Sequence, residues 1–136
     1  MENNSISVSF DFDGTLSRND VQAYAEECMD KGCDVWVVTS RFDDSKSREG
    51  NADLFAVTDS LGIPRDKVVF TNMEWKYEML KSLGIDVHLD DYFVELNMLK
   101  TEKVIGISVN SSSYRNKINR LIDESRIRQK AAVKRN

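Results

Sequence analysis

No apolar run in this sequence approaches the roughly 20 residues that a membrane-spanning helix needs, which excludes a helical membrane protein. The opening Met1-Glu2-Asn3-Asn4 has neither the basic region nor the hydrophobic core of a signal peptide, so a cytoplasmic location is expected. Cysteine is scarce. Cys28 and Cys33 stand alone, five positions apart, and without a secretion signal they read as reduced thiols. Two cysteines with no further ligands also make a poor zinc site. Pro64 is the single proline, and there is no internal repeat or low-complexity segment. At 136 residues, with apolar and charged fractions of an ordinary globular protein, the chain suits one domain with a real core.

Charge is unevenly spread. From Tyr114 to Asn136 there are eight Lys/Arg against two Asp/Glu, which leaves the tail at about +6 and the remainder at about −10. The tail reads either as a solvated helix or as a surface for nucleic acid or another polyanion. Within it NKINRLIDESRIRQ is helical in pattern, with Ile118, Leu121 and Ile122 spaced to dock on the body and the last few residues fraying.

Ahead of the tail, strand and helix patterns alternate. Residues 5–10 read as a strand and residues 20–31 as a helix, capped by Asn19 or Asp20 and ended by Gly32. "DVWVVTS" is an apolar run suited to a strand covered on both faces. A charged loop, residues 41–51, leads to a helix over 52–61. Then come a strand in "KVVFTN", a helix over 74–83, a strand in "DVHL", a short helix over 92–99 and a strand in "KVIGISV". Repeated β-α units predict an α/β fold: a three-layer, Rossmann-like open parallel sheet of about five strands flanked by helices. On this reading residues 1–113 form the main domain and 114–136 a basic helical tail.

Ligands of such sheets bind beyond the carboxyl ends of the strands. Those ends carry Asp11 and Asp13, then Thr39, Ser40 and Arg41, then Asp90 and Asp91. Four carboxylates in one crevice repel and raise each other's pKa unless a cation neutralises them. Oxygen-only ligands suit a hard divalent cation, with Mg²⁺ expected in a cytosol. Such a metal completes its shell with water and substrate phosphate, and Lys76 is placed to add a second positive charge. A carboxylate nucleophile, a second acid, a metal, a hydroxyl and a lysine are the parts that phosphoryl transfer requires.

In these motifs the chain resembles the haloacid dehalogenase superfamily of phosphohydrolases. A strand followed by Asp11-Phe12-Asp13-Gly14-Thr15-Leu16 matches its D-x-D-G-T-L motif, "VWVVTS" its second motif at Thr39, and "HLDD" its paired acids at Asp90 and Asp91. Lys76 best matches its lysine, with Lys81 the alternative on the same predicted helix. The resemblance implies that Asp11 attacks phosphorus to form an aspartyl-phosphate. It implies that Asp13 protonates the leaving oxygen and then activates water, its backbone carbonyl also holding Mg²⁺. Asp90 would be a direct metal ligand, and Asp91 would act on the metal through water or through another ligand. Thr39 would donate to a phosphoryl oxygen, and Lys76 would hold Asp11 and the phosphate together. Gly14, Thr15, Ser40 and Arg41 are expected around the substrate, and Arg41 is of a type to grip a phosphate bidentately. His88 faces the same side as Asp90 and reads as a wall residue, while Trp36 and Glu95 read as structural.

Many members of that superfamily carry a cap domain after the first motif or after the third strand. Neither place has room for one here, so the resemblance is to a capless phosphatase with an open site. Such sites act on macromolecular phosphates or borrow a lid from another subunit, which makes a homo-oligomer one expectation. The loop "SRFDDSKSREGN" is the natural substitute lid. "TSR" and the paired acids also resemble, more loosely, the phosphatase domains of polynucleotide kinase-type end-healing enzymes and small deoxynucleotidases. The expected substrate is therefore a phosphate monoester, on a nucleotide or nucleic-acid end. The alternatives are a sugar or other small phosphate, and a binding module that kept the fold without turnover.

Overall fold

The computed structural model describes residues 5–135, the last three by backbone alone. The expected fraying of the chain's last residues lies outside that description. The elements are β1 (Ser7–Phe10), α1 (Asn19–Asp30), β2 (Asp34–Thr39), α2 (Ala52–Leu61), β3 (Val68–Phe70), α3 (Tyr77–Ser82), β4 (Val87–Asp90), α4 (Phe93–Met98), β5 (Ile105–Ser108) and α5 (Tyr114–Arg135). All five strands pair in parallel in the order β3-β2-β1-β4-β5, a Rossmann-like α/β sheet flanked by helices.

Neighbouring residues of a strand point to opposite faces, and β2 shows the consequence. Val37 joins a core formed with Val21, Tyr24 and Ala25 of α1, Leu54 of α2, and Ile118 and Ile122 of α5. Val38, the next residue, packs instead with Leu80 of α3, Ile85, Leu99 and Val104. Both faces of the sheet are covered, which is why the strands read as continuous apolar runs. Ile118 and Ile122 are buried and Leu121 packs beside them. Burial of each isoleucine is worth about 1.5–3 kcal/mol.

The wiring follows from crossover handedness. Two steps outward from β1 place α1 and α2 on one face; the chain then returns past β1, and α3 and α4 cover the other. Strand order therefore reverses between β1 and β4, and a crevice opens there at the carboxyl ends. Only Ser17 and Arg18 separate the turn at Phe12–Leu16 from α1, and only residues 71–76 separate β3 from α3. Neither connection holds an inserted domain.

Two helix boundaries differ from the sequence reading. α1 starts at Asn19 with Arg18 at the N-cap, so neither Asn19 nor Asp20 caps it. The Asp20 carboxylate instead receives the Arg18 guanidinium at 3.0 and 2.9 Å and the Tyr114 hydroxyl at 3.2 Å. α3 begins at Tyr77, not residue 74. Asn72 and Met73 take positive φ values of 55° and 68°, which ends β3 in a tight turn and delays the helix.

Arg115 of α5 donates to the Asp20 carbonyl at 3.1 Å, and Arg126 donates to the Lys31 carbonyl at 2.5 Å. Part of the tail's basic charge is thus spent tying α5 to α1. Among the described residues no helix is long and apolar enough to cross a membrane.

Candidate active site

β1 and β4 run side by side with Phe10 opposite Leu89, and the Asp11 N–H donates to the Leu89 carbonyl at 2.9 Å. Asp11 and Asp90 therefore leave adjacent strands at the same level. Between them lies the Lys76 ammonium, which donates to Asp11 Oδ1 at 2.8 Å and to Asp90 Oδ2 at 2.7 Å. All three residues are buried, with 5%, 1% and 2% of their surfaces exposed for Asp11, Asp90 and Lys76. Lys81 is elsewhere, paired with Glu102 at the surface at 3.0 Å.

Lys76 sits at the N-cap of α3, not inside a helix. Its backbone N–H donates to Glu95 Oε1 at 3.0 Å, so α4 anchors the main chain from which the lysine reaches inward. Glu95 thus has the structural role read for it, and a specific one.

Asp91 completes the acid cluster. One oxygen each from Asp11, Asp90 and Asp91 lies within 4.8 Å of the others, a spacing that suits a single cation. Gly14 makes this convergence possible. It has φ +76°, and a Cβ added there would stand 2.2 Å from Asp91 Oδ2. Its value to the site is the absence of a side chain.

One ammonium shared by two buried carboxylates leaves negative charge uncompensated. Burial pushes the Asp11 carboxyl up to about 8; Lys76 opposes the shift and Asp90 adds to it. For Asp90 burial also acts upward, but the hydrogen bond from His88 and the charge of Lys76 prevail and hold it well below the usual carboxylate range. Burial works against the Lys76 ammonium, and Asp11 and Asp90 together overcome it and raise its pKa. In the metal-free protein at neutral pH Asp11 therefore keeps its proton, and the Lys76 ammonium is matched by the ionised Asp90.

Beneath Asp90 runs a polar chain that the sequence reading did not assign to the site. His88 Nε2 lies 2.8 Å from Asp90 Oδ2, and His88 Nδ1 lies 2.7 Å from Ser9 Oγ, with Ser9 and His88 fully buried. Burial lowers the His88 pKa and keeps the ring neutral. A neutral ring fits one arrangement well: Nε2–H donates to the carboxylate and Nδ1 accepts the Ser9 hydroxyl. The Tyr92 N–H donates to Asp90 Oδ1 at 3.0 Å, so both Asp90 oxygens are held. The signal was visible in the sequence. Ser9 and His88 each stand two residues before an acid, on the same strand face, inside runs otherwise apolar.

The remaining predicted residues divide. Thr15 is buried and donates to Asp11 Oδ2 at 3.2 Å, so its hydroxyl proton is used to orient the acid and not to hold a substrate. Thr39, also fully buried, accepts the Arg41 N–H at 3.2 Å through its hydroxyl oxygen. The Gly14 N–H donates to Ser17 Oγ at 3.1 Å, and the Ser40 carbonyl accepts the Met73 N–H at 2.7 Å.

Arg41 departs most from expectation. Its Nε and Nη2 donate to the two Asp13 oxygens at 2.9 and 2.8 Å. Nη1 and Nη2 donate to Asp53 at 2.8 and 2.9 Å, and Nη1 also donates to Asn51 Oδ1 at 3.2 Å. A guanidinium has five N–H donors, and here all five are used. Instead of lying open to grip a phosphate, Arg41 is saturated by Asp13 and by the start of α2. Its guanidinium also stands 5.0 Å from the centre of the Phe12 ring. Asp13 is consequently held by Arg41 and is not among the three acids that converge. The loop over 41–51 is pinned from within: Asn51 Nδ2 donates to the Phe42 carbonyl at 3.0 Å and to Asp44 at 2.8 Å.

No protein-family model matches the chain, and no curated protein matches it. The geometry at the β1–β4 crevice is the ground for a functional reading.

Proposed function

We propose that the chain is a Mg²⁺-dependent phosphatase of phosphate monoesters, of the capless haloacid dehalogenase type. One observation carries the reading: Lys76 bridges Asp11 and Asp90 at the point where strand order reverses, with Asp91 close enough to share a cation. The donor set fits Mg²⁺. It is all oxygen, its negative charge exceeds what Lys76 neutralises, and a glycine keeps the space beside Asp91 clear. Asp11, Asp90 and Asp91 supply the side chains that would hold the ion, together with the Asp13 carbonyl. When bound, Mg²⁺ favours the ionised form of Asp11 and draws charge from the phosphoryl oxygens.

Asp11 attacks phosphorus, the bond from phosphorus to the ester oxygen breaks, and Asp13 gives a proton to the departing alkoxide. Asp13 then takes a proton from water; the resulting hydroxide attacks phosphorus, the aspartyl-phosphate bond breaks, and inorganic phosphate leaves with Asp11 restored. Lys76 stays on Asp11 throughout and offsets charge on the transferring group. The Thr39 hydroxyl keeps its proton for a phosphoryl oxygen, because its bond to Arg41 uses the oxygen as acceptor. Both Asp13 oxygens rest on Arg41, so proton transfer requires that one of them be freed while the other stays held.

Hydrolysis of 4-nitrophenyl phosphate tests this reading. The wild-type chain with Mg²⁺ should turn the ester over and EDTA should abolish the activity. Asp11→Asn should lower kcat by about 10³-fold or more with the fold unchanged by circular dichroism. Full activity in EDTA, or substantial activity in Asp11→Asn, would overturn it.

A further inference from the structure

Beside Arg41, past the carboxyl end of β2, is a groove of about 590 Å³ that the mechanism above does not use. It is lined by Arg41, Phe42, Ser47, Glu49, Asp53 and Met73 among others. Arg41 connects this groove to the proposed site: it lines the groove, and its Nε and Nη2 hold Asp13. A substrate whose phosphate lies on Asp11 would direct the rest of the molecule past Arg41 into this space.

Two features suggest that the groove is built for a ligand. Phe42 and Met73 are large apolar side chains left 42% and 66% exposed on its walls. Single exposed apolar residues are ordinary, but two lining one groove are informative. The second feature is strain. Asn72 and Met73 both take positive φ, a conformation that costs free energy for residues with a Cβ and that persists where surrounding contacts enforce it. Here the contacts come from the groove's other side. The Asn72 N–H donates to the Arg41 carbonyl at 3.1 Å, the Met73 N–H to the Ser40 carbonyl at 2.7 Å, and the Asp43 N–H to Asn72 Oδ1 at 3.1 Å. The turn after β3 is thereby locked to the chain leaving β2, and Met73 is presented opposite the 42–53 segment.

The lining selects a chemical class. A lipid or other wholly apolar group would meet the Glu49 carboxylate without a donor to offer it, the Asp53 carboxylate being already taken by Arg41. A sugar alone would leave the exposed faces of Phe42 and Met73 without an apolar counterpart. A flat heteroaromatic ring with N–H donors on its edge satisfies both. We propose that the groove is the leaving-group subsite and that it takes a nucleobase, which makes the substrate a nucleoside phosphate. Phe42 and Met73 supply stacking surfaces, and Glu49 accepts from amino or imino groups on the base. This rests on the phosphatase reading and adds the class of ester that is cleaved.

The test compares kcat/KM with Mg²⁺ for nucleoside 5′-monophosphates, a 3′-phosphorylated dinucleotide and ribose 5-phosphate, in wild type, Phe42→Ala and Met73→Ala. Wild type should prefer at least one nucleoside phosphate over ribose 5-phosphate by about tenfold or more, as one stacked base supplies. Phe42→Ala should reduce that preference about tenfold, and Met73→Ala by a smaller factor of about threefold. The mononucleotide and dinucleotide arms show whether the nucleoside is free or at a chain end. Equal rates on ribose 5-phosphate and nucleotides, or a preference that neither substitution changes, would overturn the subsite. Calorimetry with unphosphorylated adenosine and guanosine separates this from failure of the chemistry. Nucleoside binding that Phe42→Ala weakens supports the subsite even if no ester is hydrolysed; absence of binding for both nucleosides, with no nucleotide preference, overturns it whatever the rate on 4-nitrophenyl phosphate.

Discussion

Gly14→Ala is the substitution in which the site's construction is most directly exposed. Two separate costs arise at this residue. The backbone has φ +76°, where an alanine is disfavoured by about 1–2 kcal/mol. The added Cβ would also stand 2.2 Å from Asp91 Oδ2, well inside any tolerable contact. Asp91 is exposed, so its side chain can swing away with little loss of stability, but it then no longer reaches the position it shares with Asp11 and Asp90. Urea denaturation in EDTA should show a loss of about 1–2 kcal/mol, equivalent to a drop in Tm of several degrees for a domain of this size. Mg²⁺ titration by calorimetry should show affinity weakened about 10–100-fold, the range expected when a group supporting a metal ligand set is disturbed. The two effects should separate in a double-mutant cycle with Asp91→Ala. The double variant should bind Mg²⁺ no more weakly than Asp91→Ala alone, because the ligand that Gly14→Ala displaces is already gone. Its stability should still fall by the backbone cost. Unchanged Mg²⁺ affinity in Gly14→Ala, or fully additive losses of affinity in the double variant, would refute the close approach of Gly14 and Asp91 as the reason for the glycine.

Arg41→Lys should lower kcat for 4-nitrophenyl phosphate by tenfold or more with a smaller change in KM, because a lysine cannot hold Asp13, Asn51 and Asp53 through five fixed donors; a KM effect alone would return Arg41 to substrate binding. His88→Leu leaves Ser9 Oγ without its partner and removes a donor from Asp90, so urea denaturation should show a loss of about 1–3 kcal/mol together with weaker Mg²⁺ binding. In metal-free protein the Asp11 carboxyl is pushed up to about 8 from its ordinary 3.8, so the folded state keeps a proton that the unfolded chain has released. The associated stability is fully present below about pH 4 and is lost as pH rises toward 8. Thermal scans in EDTA should therefore show Tm falling from pH 5 to pH 8 in wild type, and a shallower fall in Asp11→Asn.

Local pattern carried much of the fold because it repeats one physical rule. Strands covered on both faces must be apolar throughout, and "VWVVT" has no other use for such a run. Alternation with helices then left a parallel sheet as the natural product, whose strand ends fall at Asp11, Thr39, Asp90 and Asp91 by position in the sequence alone. The start of α3 was not legible. It depends on the Asn72–Met73 turn, held in place by hydrogen bonds to the Ser40 and Arg41 carbonyls and from the Asp43 N–H, and those bonds join residues about 30 positions apart.

By itself, then, the sequence determined the layer architecture and which acids would gather at one edge of the sheet, since both follow from periodicity and strand length. Only the tertiary structure decided what those groups do to one another. It put Lys76, not Lys81, between Asp11 and Asp90, used up the donors of Arg41 on Asp13 and Asp53, tied His88 to Asp90, and set Gly14 against Asp91. The physical reason is range. Hydrogen bonds and steric contacts act over about 3 Å between residues up to 95 positions apart, and no local pattern encodes which donor reaches which acceptor first.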